Sequence, residues 1–183
     1  MLRNLLIPLA FVASPALATG LAIEVEGETA SGTIQIDLLD DVAPQHVARI
    51  TELAREGAYD GVVFHRVIDG FMAQTGDVQF GKSGSDTSSA GMGGSDKPDL
   101  PQEFSDIPFE RGIVGMARSQ SVDSANSQFF IMFTEYPSLN GQYTVVGRVT
   151  EGLDVLDSLK LGDPRSGAID GQPDVMKSVT VTE

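Results

Sequence analysis

The chain has no cysteine, no tryptophan, only 2 histidines, and 12 basic residues against 26 acidic ones. Without cysteine there is no disulfide, no thiolate-ligated metal or cluster, no thiol nucleophile and no lipid anchored on cysteine. At a formal charge of −14 the chain lacks the clustered Lys and Arg that phosphate binding needs. This argues against nucleic acid as a partner and disfavours an anionic membrane surface. No apolar run approaches the roughly 20 residues of a membrane span. What is present, 183 residues with 41% hydrophobic and 21% charged side chains, suits one domain of ordinary size with its own core.

Residues 1–18 read MLRNLLIPLAFVASPALA. Arg3 supplies a basic start, Leu5 to Ala13 a short apolar stretch broken by Pro8, and Ala16-Leu17-Ala18 an A-x-A cleavage site. That order predicts a secretory signal peptide rather than an anchor or a buried helix. Residues 19–183 are then the mature chain, expected in the periplasm, with no stable membrane insertion after cleavage.

Within the mature chain, Leu21–Glu26 and Thr33–Leu39 alternate apolar and polar residues between Gly27 and Gly32, the pattern of a hairpin. Pro44 opens a helix whose Val47, Ile50, Leu53 and Ala54 share a face, with Gly57 as its stop. Short β runs follow at Val62–Phe64 and Phe71–Ala73. Residues 78–100, rich in Gly, Ser and Asp, read as a long loop; its two Gly-Ser-Asp triplets fit no calcium loop with defined ligand spacing. Ile113–Ala117, Gln128–Phe133, Thr144–Val149 and Val175–Val181 read as strands, and Gly152–Lys160 as a second helix. Many short strands with two helices predict a mainly β domain, an antiparallel barrel or sandwich.

Nucleophile and metal chemistry find little support. His46, near the start of the first helix, is expected to face solvent, and His65 lies in a strand. There is no Gly-x-Ser-x-Gly elbow, the histidines have no ligand-type spacing, and no glycine-rich loop opens a helix. What stands out is a constellation that need not titrate: Arg66 inside an apolar strand pair, apolar Phe71, Met72, Phe129, Phe130 and Leu139, and the amides of Gln74 and Gln128. Phe129 and Phe130 are strand neighbours, so they face opposite sides and one of them is core. Spacing alone leaves the set open between a binding groove and ordinary core filling with a structural arginine.

Phe64–Asp77, FHRVIDGFMAQTGD, resembles the first signature of the cyclophilins. SQFFI at 127–131 resembles the second, and GIVGMA at 112–117 and LNGQYTVVGRVTEGLDVLD at 139–157 follow in the family's order. The resemblance spans roughly residues 22–183. It implies an eight-stranded antiparallel β-barrel capped by two α-helices and peptidyl-prolyl cis-trans isomerase activity, with no cofactor and no metal. By position it implies a catalytic set of Arg66, His65 and Gln74. Phe71, Met72, Gly91, Ala117, Arg118, Gln128, Phe130, Leu139 and Tyr143 would bind substrate. The implied partners are proline-containing unfolded or flexible polypeptides, met by a monomer; a peptide-binding chaperone with incidental isomerase activity is the alternative. Asp69, Thr75, Arg118, Ser138 and Tyr143 depart from common family residues. Ser138 stands where members that bind cyclosporin well carry Trp, so weak cyclosporin binding is expected.

These residue types suit such a reaction. Rotation about a peptide bond meets a barrier of about 18–20 kcal/mol, while the two X–Pro isomers differ by only about 0.5–1 kcal/mol. No bond is made or broken. Twisting removes resonance and returns a lone pair to the prolyl nitrogen, so a donor aimed there stabilises the twisted state preferentially. Arg66 would be that donor, charged at any working pH. His65 would be a wall rather than a base.

Overall fold

The computed structural model describes residues 19–183; the leader read in residues 1–18 lies outside them. One antiparallel sheet dominates. Its strands are β1 (Gly20–Glu26), β2 (Ser31–Leu38), β3 (Val62–Val63), β4 (Arg66–Ile68), β5 (Met72–Thr75), β6 (Ile113–Met116), β7 (Phe129–Met132), β8 (Val145–Glu151) and β9 (Val175–Thr182). They lie in the order β3-β9-β1-β2-β8-β6-β7-β5-β4. The outermost strands, β3 and β4, are separated along the chain by only Phe64 and His65. The two ends of the sheet therefore meet, and the sheet curls round on itself. The expected eight strands become nine because one strand is interrupted at that dipeptide.

Helix α1 (Pro44–Arg55) buries Val47, Ile50, Leu53 and Ala54 as its periodicity predicted. Gly57, at φ 68°, takes the left-handed conformation that ends it. The residue before Pro44 is Ala43, which has no capping side chain. Glu103 does the work from far along the chain: its carboxylate accepts from the backbone N–H of Gln45 (3.1 Å) and of His46 (3.2 Å). The same carboxylate meets His46 Nδ1 at 2.7 Å. His46 is thus fully buried and not solvent-facing; helical position alone could not show that a remote loop covers it. Helix α2 (Leu153–Asp157) is shorter than the expected 152–160. Leu159, the last of its three leucines, is still buried beyond the helix end. Among the described residues no helix is long and apolar enough to cross a membrane.

The sheet separates two apolar clusters. Along β7, Phe129 and Ile131 join the larger one, with Ile23, Ile34, Val67, Ala73 and the α1 residues. Phe130 and Met132 join the smaller one on the opposite face, with Met72, Phe109, Ile113 and Val145. The period-2 alternation of strand side chains does this sorting. Gly115 is required on the smaller face: a Cβ there would fall 2.7 Å from both Phe109 and Phe130, whose rings stack at 5.7 Å.

Candidate active site

The strand register sets a row of side chains on the face of the smaller cluster. Arg66 pairs with Gln74, Gln74 with Phe130, and Phe130 with Gly115, across β4, β5, β7 and β6. A pocket of about 160 Å³ opens over this row. Phe71, Met72, Ala117, Phe130, Leu139 and Tyr143 make its apolar lining, and Arg66, Gln74 and Arg118 its polar part. The pocket is thus apolar with a few fixed polar groups, the usual build of a small-ligand site. Phe130 and Tyr143 meet edge to face at 5.6 Å, which holds the wall in place.

The Arg66 guanidinium is held by neutral acceptors. Nε donates to the Ser166 carbonyl (3.0 Å) and Nη1 to Gln74 Oε1 (3.3 Å). Among the described residues it has no carboxylate within 4.0 Å, and Nη2 has no protein acceptor. Burial lowers its pKa and Tyr143 acts the other way; starting so high, an arginine stays cationic at neutral pH.

The amides behind Arg66 form a chain. Gln74 Nε2 donates to Gln128 Oε1 (2.9 Å), and Gln128 Nε2 donates to the carbonyls of Gly91 (3.0 Å) and Gly93 (2.7 Å). The N–H groups of Gly91 and Gly93 donate in turn to Asp77 Oδ2, at 2.7 and 2.9 Å. Asp77 is fully buried, and its Oδ1 accepts from Gln79 and Phe80. The Gly91–Gly93 stretch inside the long 78–100 loop is therefore clamped from two sides. Gly91 and Gln128 belong to a second, larger cavity of about 560 Å³, which shares Gln74, Ala117 and Arg118 with the small pocket.

His65 lines neither cavity. Its ring lies under Gly91, where an added Cβ would stand 3.0 Å from Cδ2. Both ring nitrogens are buried without a partner. Burial pulls its pKa down to about 4; Asp77 opposes and Arg66 adds to the shift. A neutral, enclosed ring is a packing element, not a proton carrier at neutral pH. The other eleven residues proposed for the site all line one cavity or both. Asp77 and Ser166 were missed. Asp77 closes the FHRVIDGFMAQTGD motif, so its position was visible and its partners were not. Ser166 contributes a carbonyl, which no side-chain pattern reports. Among the described residues no group of three or more His, Asp or Glu is placed to hold a metal ion.

Residues 22–182 match the family model of the cyclophilin-type peptidyl-prolyl cis-trans isomerases. The chain belongs to that family. This cyclophilin is 52% identical over 186 residues to a probable peptidyl-prolyl cis-trans isomerase of Brucella suis, covering 97% of this chain and 95% of that one. It is 35% identical to peptidyl-prolyl cis-trans isomerase B of Escherichia coli, over 85% of this chain and 97% of the other. Among solved structures it is similar to the cyclophilin AquaCyp293 of Hirschia baltica, with a TM-score of 0.71 at 27% identity, over 88% of this chain and 73% of that one. A cyclophilin-type isomerase of Cryptosporidium parvum, solved in the presence of the dipeptide Ala-Pro, gives 0.74 at 26% identity, over 90% and 99%. The cyclophilin described here is a peptidyl-prolyl isomerase with a mainly β fold.

Proposed function

We propose that this cyclophilin is exported and accelerates X–Pro rotation in folding or flexible exported chains, with Arg66 stabilising the twisted imide. The observation that carries the mechanism is the Arg66 guanidinium, fixed by Ser166 and Gln74 beside an apolar pocket and, among the described residues, with no carboxylate within 4.0 Å. In this reading the proline ring sits against Phe71, Met72, Phe130 and Leu139. The free Nη2 then meets the prolyl nitrogen as its lone pair develops. A charge-assisted hydrogen bond nets about 1.5–3 kcal/mol, which is roughly ten- to a hundredfold in rate. The rest of the acceleration comes from a preorganised site that holds one side of the bond while the other turns. The Ala-Pro dipeptide named for the Cryptosporidium relative agrees with a prolyl substrate. Export rests on the charge–apolar–small order of residues 1–18.

A protease-coupled assay on a prolyl tetrapeptide, comparing wild type with Arg66→Ala, tests the mechanism. The variant should lose at least tenfold in kcat/KM while unfolding at the same temperature. A wild type that binds prolyl peptides without isomerising them would favour the peptide-binding chaperone instead. N-terminal sequencing of the protein from a periplasmic fraction tests export, and a mature chain starting at Thr19 is expected.

A further inference from the structure

Arg66 has a companion. Arg118 lines the same small pocket, and it too has no carboxylate within 4.0 Å among the described residues. Its Nε and Nη2 donate to the Gln142 carbonyl, at 3.2 and 3.0 Å, and Nη1 donates to the Ser119 carbonyl at 2.9 Å. The guanidinium carbon stands 4.5 Å from the centre of the Tyr143 ring. Carbonyls and an aromatic face hold the group in place without cancelling its charge. One N–H of Nη2 is left without a protein acceptor. On a molecule of net charge −14, the cleft therefore carries two cations with no carboxylate within 4.0 Å among the described residues, and Asp99 is the one acidic residue among the lining of the larger cavity.

Only one of them is needed for the rotation. Arg118 also lines the larger cavity, so a peptide with its proline in the small pocket passes Arg118 as it extends into the larger one. We propose that Arg118 is a specificity-determining residue that makes the cleft prefer peptides with an acidic side chain flanking the X–Pro pair. The proposal rests on the isomerase reading above and names the substrate class for that site. The overall charge opposes it, because an acidic molecule repels an acidic peptide at long range. Screening decides between the two. At physiological salt the Debye length is about 8 Å, so distant carboxylates fade while a cation in contact does not.

The test measures kcat/KM for prolyl peptides carrying Glu, Ala or Lys on either side of the X–Pro pair, at low and high ionic strength. Wild type should favour Glu over Lys by roughly two- to fivefold at low salt, the scale of a half-exposed ion pair, and the ratio should shrink as salt rises. Arg118→Gln should bring the ratio to one or below, and Arg118→Lys, which keeps the charge, should retain a preference for Glu. The proposal is overturned if wild type shows no preference at either flank, if Arg118→Gln keeps it, or if Arg118→Lys loses it. The wild-type salt series stands by itself should a variant fold poorly. The Ala peptide separates the two readings: if wild type does not isomerise it, the isomerase mechanism fails; if it does and the Glu–Lys ratio is flat, only the selectivity fails.

Discussion

Gln74 sits directly opposite Arg66 in the β4–β5 register, and its Oε1 accepts the Arg66 Nη1 proton at 3.3 Å. The acceptor is an amide, not the carboxylate of similar size that an arginine more often meets. That choice matters. A carboxylate would neutralise the guanidinium, whereas the amide orients it and leaves its charge uncancelled. The amide also has a second function to offer, and Gln74 uses it to reach Gln128.

The first prediction concerns this chain. Gln128→Ala removes the amide that links Gln74 to the Gly91 and Gly93 carbonyls. The Arg66 guanidinium keeps its Ser166 contact but loses the brace behind Gln74. One neutral hydrogen bond nets about 0.5–1.5 kcal/mol, so kcat/KM should fall roughly two- to tenfold, less than for Arg66→Ala. Isomer exchange followed by NMR on a prolyl peptide would measure both. A Gln128→Ala variant with full activity would show that the brace is idle.

Gly91→Ala should impair both stability and turnover. Gly91 has φ +98°, which L residues rarely adopt, and its Cβ would meet His65 at 3.0 Å. Strain of this kind costs about 1–3 kcal/mol. Urea unfolding should show a lower midpoint with an unchanged slope. Activity should fall as well, because Gly91 is one of the two residues through which Asp77 and Gln128 hold the loop.

His65 makes a prediction about pH. Its folded pKa is about 4, against 6.5 for the free side chain. Well above pH 6.5 the ring is neutral whether the chain is folded or not, and it has no effect on the pH dependence of stability. Below that, the unfolded chain binds a proton that the folded one refuses, so stability falls as the pH drops from 6.5 towards 4 and then levels off for this group. The loss should reach about 3 kcal/mol. Denaturation midpoints at several pH values should show the decline, and a His65→Phe variant should show a flatter one. Isomerase activity should have no inflection from His65 between pH 5 and 8.

Glu103→Ala should destabilise the fold. Burial raises the Glu103 pKa, but the bonds from His46 and Gln45 outweigh this and hold it below the ordinary value. The substitution strips α1 of its long-range cap and leaves a buried His46 nitrogen unpaired. Caps are worth about 0.5–2 kcal/mol, and an orphaned buried polar group about 1–3. Thermal unfolding should therefore come several degrees earlier, with kcat/KM at low temperature almost unchanged.

Much of this was legible before any coordinates. The hairpin of β1 and β2, the length and buried face of α1, and the opposite facing of Phe129 and Phe130 follow from periodicity and turn residues. The motifs marked the pocket-lining side chains. The eight-to-nine strand count, the short α2 and the burial of His46 did not follow. The first and the last depend on contacts made from far along the chain: β3 on β9, and Glu103 on α1. Local patterns do not encode such contacts.

The sequence by itself determined which residues were available for chemistry. There is no thiol, the basic residues are few, and an arginine stands among apolar strands in an ordered set of family motifs. The tertiary structure alone decided how that arginine is held. Register places Gln74 beside Arg66, the 163–167 turn brings the Ser166 carbonyl to it, and the clamped loop closes the amide chain. The physical reason is that hydrogen bonds act over about 3 Å, while the residues that make them here lie up to 100 positions apart in the chain. Only the closed sheet brings them within that distance.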